Sequence, residues 1–288
     1  MPNGENNDRK NRPRSLAVLV VAHPDDESMF FVPTIVGLQQ QHYDLWLLCL
    51  TNGNYDGLGK IRSKELYRTA QHILGFDRVL LCDDDDERIQ DHPRHCWDIP
   101  HVAQRVQRML QAELEKVETM TTTTTTKNGF RYDKVEIITF DEVGVSGHVN
   151  HRDTFAACRH LCGDGSSRPT LAATVHTQQG QCKLPELEMW VLVSDTSPLR
   201  YLPILGWIFL VLTWCGVMPK SSSVAATSAR TITTTIRQRT FRLQHPSLNW
   251  RAMASHASQF VWYRRLFVVF SSYTYVNRLE QRSATNVA

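Results

Sequence analysis

The seven cysteines (Cys49, Cys82, Cys96, Cys158, Cys162, Cys182 and Cys215) show no pairing pattern: they are odd in number, irregularly spaced and contain no CxxC. A disulfide framework is therefore not expected, and a reducing compartment is. A strong excess of one charge is missing too. Thirty-two Lys and Arg against 29 Asp and Glu leave a net charge of +3, which implies no nucleic-acid partner. No apolar stretch precedes Ser15, so no signal peptide is expected and residues 1–14 read as a disordered polar tail. Apolar residues are not scarce: they make up 42% of 288 residues, enough for a large α/β core and too many for global disorder.

Leu16–Ala22 (LAVLVVA) is an uninterrupted β-branched run, the pattern of a strand buried on both faces. Further strands are predicted at Leu45–Leu50, Arg78–Leu81, Val135–Phe140 and Glu188–Val193, with more within Ser221–Arg242. Helical spacing covers Ser28–Gln41, Lys60–Leu74, Pro100–Glu118 and Asn150–Leu161. Pro33 inside the first of these is tolerable only in a first turn or as a kink, and Gly75 suits the turn that closes the second. Strands alternating with helices predict an α/β fold, a Rossmann-like, open, mostly parallel sheet with helices on both faces. Residues 119–128, with the run Thr121–Thr126, read as a low-complexity loop insertion.

Two segments carry chemistry. His23-Pro24-Asp25-Asp26-Glu27 follows the first buried strand, and in an open α/β sheet ligands gather beyond the carboxyl ends of strands. Imidazole and carboxylate suit zinc or a similar divalent ion, and neighbouring carboxylates can divide metal binding from proton transfer. The same acidic residues would also suit a helix N-terminus. Gly147-His148-Val149-Asn150-His151 follows the fourth strand, and a helix there would turn His148 and His151 to one face. Asp83–Glu87 (DDDDE) reads as a solvated loop, although one of its carboxylates could reach the site. His256 reads as a structural histidine at the border of the site.

AHPDDE at Ala22–Glu27, TNGN at Thr51–Asn54, RSKEL at Arg62–Leu66 and GVSGHVNHRD at Gly144–Asp153 together resemble the PIG-L/LmbE-like metal-dependent deacetylases. GVSGHVNH and the tail SHASQFVWYRRLFVVFSSYTYVNRL resemble the eukaryotic PIG-L branch, the N-acetylglucosaminyl-phosphatidylinositol de-N-acetylases of early GPI-anchor synthesis. The resemblance implies a divalent metal, zinc first with manganese and iron as alternatives, on His23, Asp26 and His151. It makes Asp25 the general base. A protonated His148 would polarise the carbonyl or protonate the leaving amine. Asn52, Arg62 and Glu65 would lie at the sugar pocket, although Arg62 and Glu65 equally fit an i,i+3 pair on a helix surface.

The branch commonly starts with a membrane-spanning helix, which this sequence does not show before the first strand. The uncharged Tyr201–Pro219 and the aromatic-arginine tail are the expected membrane-associating elements, the former spanning, lying on the membrane or buried. The expected division is a deacetylase domain over 15–195 and a C-terminal extension over 196–288 that completes it. The expected partners are the lipid substrate and a membrane surface, at the cytosolic face of the endoplasmic reticulum. The rivals are a soluble deacetylase of a small GlcNAc conjugate and a catalytically silent membrane-associated binding subunit.

Overall fold

In the computed structural model, residues 14–82, 86–121, 132–163, 186–195 and 237–282 are described. The strands are β1 (Arg14–Val21), β2 (Asp44–Cys49), β3 (Arg78–Leu81), β4 (Tyr132–Phe140), β5 (Glu186–Leu192), β6 (Gln238–Arg242) and β7 (Val276–Arg282). They form one sheet in the order β3-β2-β1-β4-β5-β7-β6. The first five strands run parallel. β7 pairs antiparallel with β5, and β6 with β7. The α/β, mostly parallel sheet is as expected. β1 begins at Arg14, one residue inside the expected tail, because Arg14 already pairs with Tyr132.

The helices are α1 (Asp26–Phe30), α2 (Val32–Gln40), α3 (Gly59–His72), α4 (Ile99–Thr121), α5 (Gly144–Gly147), α6 (Val149–Cys162), α7 (Ser247–Ser255) and α8 (Trp262–Phe270). The apolar run of β1 is continuous because it feeds two cores. Leu16, Val18 and Val20 face one layer with Val106 and Leu110 of α4 and Phe155 of α6. Ala17, Leu19 and Val21 face the other with Ile35 and Leu38 of α2, Leu66 of α3, Ala252 of α7 and Leu279 of β7. Each such side chain contributes ~1.5–3 kcal/mol on full burial, an upper bound against a compact unfolded chain.

The single helix expected over Ser28–Gln41 is two. Pro33 has no N–H to give the Met29 carbonyl, so α1 stops and Pro33 falls in the first turn of α2. Asn277 of β7 seals the break. Its amide nitrogen donates to the Phe30 carbonyl (2.9 Å), and its oxygen accepts from the Thr34 N–H and hydroxyl (3.1 and 2.8 Å). Gly75 turns the chain out beyond α3 with φ +68°. α4 runs to Thr121, three residues into the expected insertion; the rest of that insertion, residues 1–13, Tyr201–Pro219 and residues 221–236 lie outside the described residues. Among the described residues no helix is long and apolar enough to cross a membrane.

Candidate active site

The strand order reverses between β1 and β4: one neighbour of β1 leads to β2 and β3, the other to β5. Such a switch point opens a crevice at the carboxyl ends of the strands. The HPDDE segment leaves β1 there and the HVNH segment follows β4, so residues more than 120 positions apart meet. One donor atom from each of His23, His148 and His151 lies within 4.8 Å of the others. The Asp26 carboxylate stands between two of them, Oδ2 3.5 Å from His23 Nδ1 and Oδ1 3.2 Å from His151 Nε2.

The surroundings of the three imidazoles fix their tautomers. His23 Nε2 lies 3.1 Å from both Asp91 Oδ1 and the Asn150 amide nitrogen; with a proton on Nε2 toward Asp91, Nδ1 is the atom that faces Asp26 and would offer a lone pair once a cation displaces its own proton. His151 Nδ1 donates to the Gly144 carbonyl (3.0 Å), which leaves Nε2 as the donor atom, and its ring stacks on Phe140 at 4.1 Å. His148 is the reverse case. Its Nδ1 accepts the Asn150 N–H (3.2 Å), so the neutral ring carries its proton on Nε2. Toward a cation, His23 and His151 therefore present lone pairs, and His148 presents an N–H. Ligand atoms about 2.1 Å from a tetrahedral ion stand about 3.4 Å apart, close to the Asp26–histidine spacings. Partners that hold the far nitrogen of a ligating imidazole are the usual support of such a site.

The electrostatics agree with a cation here. Burial by itself pushes the His23 imidazole down, but hydrogen bonds and charges from Asp26 and Asp91 outweigh it and hold its pKa at about 9. A field that retains a proton so firmly also favours a metal ion in its place. Asp26 is kept well below the usual carboxylate range: His151 and His23 overcome the opposing effect of burial. Burial, then the positive charges of His23 and His151, depress His148 to about 4, so it is neutral at pH 7. The lowered value disfavours the protonated form that the resemblance implies, and a cation on its neighbours would push the same way.

Asp25 is buried and holds a left-handed backbone, φ 116°. A non-glycine residue there is strained, and it persists because its surroundings fix it. The Asp25 N–H donates to Glu27 Oε2 (3.1 Å), and Oδ2 is bound by Arg264 and lies 3.6 Å from Arg62. Burial raises its pKa, and Arg264 and Arg62 work against that rise. Glu27 Oε1 is held by the wholly buried His256 at 2.6 Å. Strain recurs at the second segment, where β-branched Val145 has φ 60°. Asp141 fixes that turn by accepting from Gly144 N (3.0 Å) and Ser194 N (2.6 Å). Gly144 has φ +69°, and a Cβ there would stand 2.9 Å from His151 Cβ.

Two of the expected substrate contacts join neighbouring loops. Arg62 donates to the carbonyls of Pro24 and Gly53 (both 2.9 Å), tying the loops after β1 and β2 together. Gly53 has φ +69°, where a side chain is strained, and a Cβ there would stand 2.3 Å from that guanidinium and displace it. Both Glu65 oxygens accept from Ser258, at 2.8 and 2.6 Å. Arg62, which also lies 3.5 Å from Asp91, and Glu65 thus tie the loops around the site together. Asn52 is half-buried beside Gly59. Of Asp83–Glu87, residues 83–85 lie outside the described residues and Asp86 pairs with His101 at 2.6 Å. Sequence reasoning missed Asp91, Asn150 and Arg264. Asn150 sits inside the HVNH segment and was within reach; Asp91 and Arg264 carry no motif.

Fold and site together define a hydrolase of the α/β deacetylase class, with a buried His-Asp-His set that could hold a metal ion. The chain belongs to the PIG-L family of GlcNAc-PI de-N-acetylases, whose family model matches residues 18–162. It is 32% identical over 268 residues to the N-acetylglucosaminyl-phosphatidylinositol de-N-acetylase of Bos taurus, covering 92% of this chain and 83% of that one. The probable enzyme of that name from Schizosaccharomyces pombe is 30% identical over 266 residues, covering 92% and 86%. Among solved structures, the N,N'-diacetylchitobiose deacetylase of Pyrococcus horikoshii shares the fold, with a TM-score of 0.51 at 14% identity over 94% of this chain and 84% of that one.

Proposed function

We propose that this chain hydrolyses the acetamide of N-acetylglucosaminyl-phosphatidylinositol to acetate and glucosaminyl-phosphatidylinositol, an early step of GPI-anchor synthesis, with zinc on His23 Nδ1, Asp26 and His151 Nε2. The observation that carries it is the set of partners held by the three histidines, Asp91 on His23, the Gly144 carbonyl on His151 and the Asn150 N–H on His148, within a member of this family. A divalent ion in that set supplies Lewis acidity, lowering the pKa of a water and polarising a carbonyl. Asp25 takes the proton of the attacking water; burial brings its pKa up toward the range where a general base is effective. His148 Nε2–H donates to the carbonyl oxygen as negative charge develops there. The proton on Asp25 then passes to the nitrogen as the C–N bond breaks, so amide and water become acetate and amine. Asn52, at the loop after β2, is the proposed sugar contact.

The membrane surface, and the cytosolic face of the endoplasmic reticulum in particular, belong to the same proposal. Support comes from the lipid in the relatives' names, the uncharged Tyr201–Pro219 and the unpatterned cysteines. The test is acetate release from GlcNAc-phosphatidylinositol by the purified chain, with and without a chelator, followed by addition of zinc, manganese or iron. Release that the chelator abolishes and zinc restores is expected. Release that resists chelation, or equal turnover of soluble GlcNAc conjugates, would overturn the reading.

A further inference from the structure

Among the described residues, helix α8 is packed on one side only. Phe267 meets Phe30 edge-on at 5.6 Å, Val268 is buried, and Arg264 reaches into the site to bind Asp25. The other side carries Trp262, Tyr263, Leu266 and Val269, which are 72, 55, 49 and 37% exposed. Trp262, Leu266 and Val269 are spaced i, i+4, i+7 and so form one stripe along the helix. Trp250, 40% exposed, extends the aromatic surface through its contact with Phe260 at 4.9 Å, and Arg265 lies over the same ring. Large apolar side chains left in water beside a catalytic cleft mark a surface with an occupant.

Charge indicates which occupant. From Thr196 to Leu279 the sequence has no Asp or Glu and ten Lys or Arg, although acidic and basic residues nearly balance over the whole chain. On α8 itself the only charged residues are Arg264 and Arg265, and Arg265 beside exposed Trp, Tyr and Leu suits the interface of a bilayer with anionic headgroups. There the rings settle at headgroup depth and the guanidinium groups meet phosphate. Because Arg264 on the same helix binds Asp25, α8 seated on a bilayer brings the cleft to the height of a lipid headgroup.

We propose that the exposed face of α8, centred on Trp262, Tyr263 and Leu266, seats the catalytic cleft on an anionic bilayer surface. The proposal deepens the lipid-substrate reading and rests on it. The full chain is mixed with vesicles of phosphatidylcholine and phosphatidylinositol whose acyl chains are brominated, and tryptophan quenching is compared with Trp262→Phe. Trp262 contributes to the quenched signal if it lies in the bilayer, so a smaller quenched fraction in Trp262→Phe is expected, and a weaker one without phosphatidylinositol. Equal fractions in the two proteins overturn the proposal. So does quenching absent from pure lipid while Trp262 is shielded in native membranes, which makes the occupant a protein. A second variant, Leu266→Glu, is expected to raise the apparent KM for vesicle-borne substrate about tenfold without changing kcat on detergent-dispersed substrate; an unchanged KM counts against it. Failure of deacetylation with Trp262 still quenched removes the substrate reading and leaves the surface; intact deacetylation without that contribution removes the surface alone.

Discussion

The site has two halves of different origin. One half consists of His23, Asp26, His148 and His151, carried by two short segments that directly follow adjacent parallel strands. The other half comes from the C-terminal part of the chain: Arg264 on Asp25, His256 on Glu27 and Ser258 on Glu65, each pair separated by more than 190 positions. In the proposed reaction the first half provides the groups that hold a metal and act on the substrate. The second provides the groups that hold Asp25 in a strained backbone and set its charge. Reactivity and positioning are thus separable, and substitutions in the two halves should fail in different ways.

The largest effect is expected from the first half. His23→Ala, Asp26→Ala and His151→Ala should each lose bound metal and bring activity to background, measured by metal analysis and acetate release on the same sample. His148→Ala should separate from these three by keeping its metal while losing activity, because its Nδ1 is engaged by the Asn150 N–H. Metal loss equal to that of the other three would place His148 among the ligands.

Asp25→Asn comes next. It should retain metal and fold and lose about 10²–10⁴-fold in kcat, the usual range for a positioned base. If Asp25→Asn strips the metal while Asp26→Asn does not, the two carboxylates have exchanged roles.

His256→Ala tests the second half through stability. Removing one partner of a buried ion pair costs about 3–5 kcal/mol, so a clear fall in Tm is expected with metal stoichiometry preserved in the folded protein. The pH dependence has a definite sign. Burial lowers the His256 pKa, but Glu27 outweighs it and the folded value is raised above 6.5. The contribution is therefore fully present below 6.5 and is lost as pH rises through the folded value. The Tm gap between wild type and His256→Ala should narrow in that direction, and a gap that widens with pH would refute the pairing.

The smallest effect is expected from Arg264→Met. Arg264 holds the Asp25 pKa down against burial, so its loss should let that pKa rise. A base must be deprotonated to act, so the acid limb of kcat/KM should move to higher pH by about 1 unit. An unmoved limb with a lowered plateau would make Arg264 a substrate contact instead.

The half that acts was largely legible in the sequence. A β-branched run followed by HPDDE, and a second strand followed by HVNH, place donors at strand ends by local patterning alone. The positioning half was not. Arg264 lies in an aromatic tail that reads equally as core or interface, and Asp91 stands in a loop without a motif. Glu65 shows what spacing alone leaves out: R-x-x-E places it near the site, and only the fold shows Ser258 donating to both its oxygens. The break between α1 and α2 falls between these cases, since Pro33 announced it and only Asn277 explains how its backbone groups are satisfied.

By itself the sequence determined the alternation of strands and helices, the two donor segments and the balance of apolar runs that buries β1 on both faces. These depend on periodicity and near-neighbour chemistry, which a linear reading preserves. Only the tertiary structure decided which nitrogen of each histidine is free, that Asp25 is held between two guanidinium groups, and that α8 delivers one of them while exposing its other face. Those facts depend on which distant backbone carbonyl, carboxylate or N–H each side chain meets, and sheet order rather than sequence spacing sets such meetings.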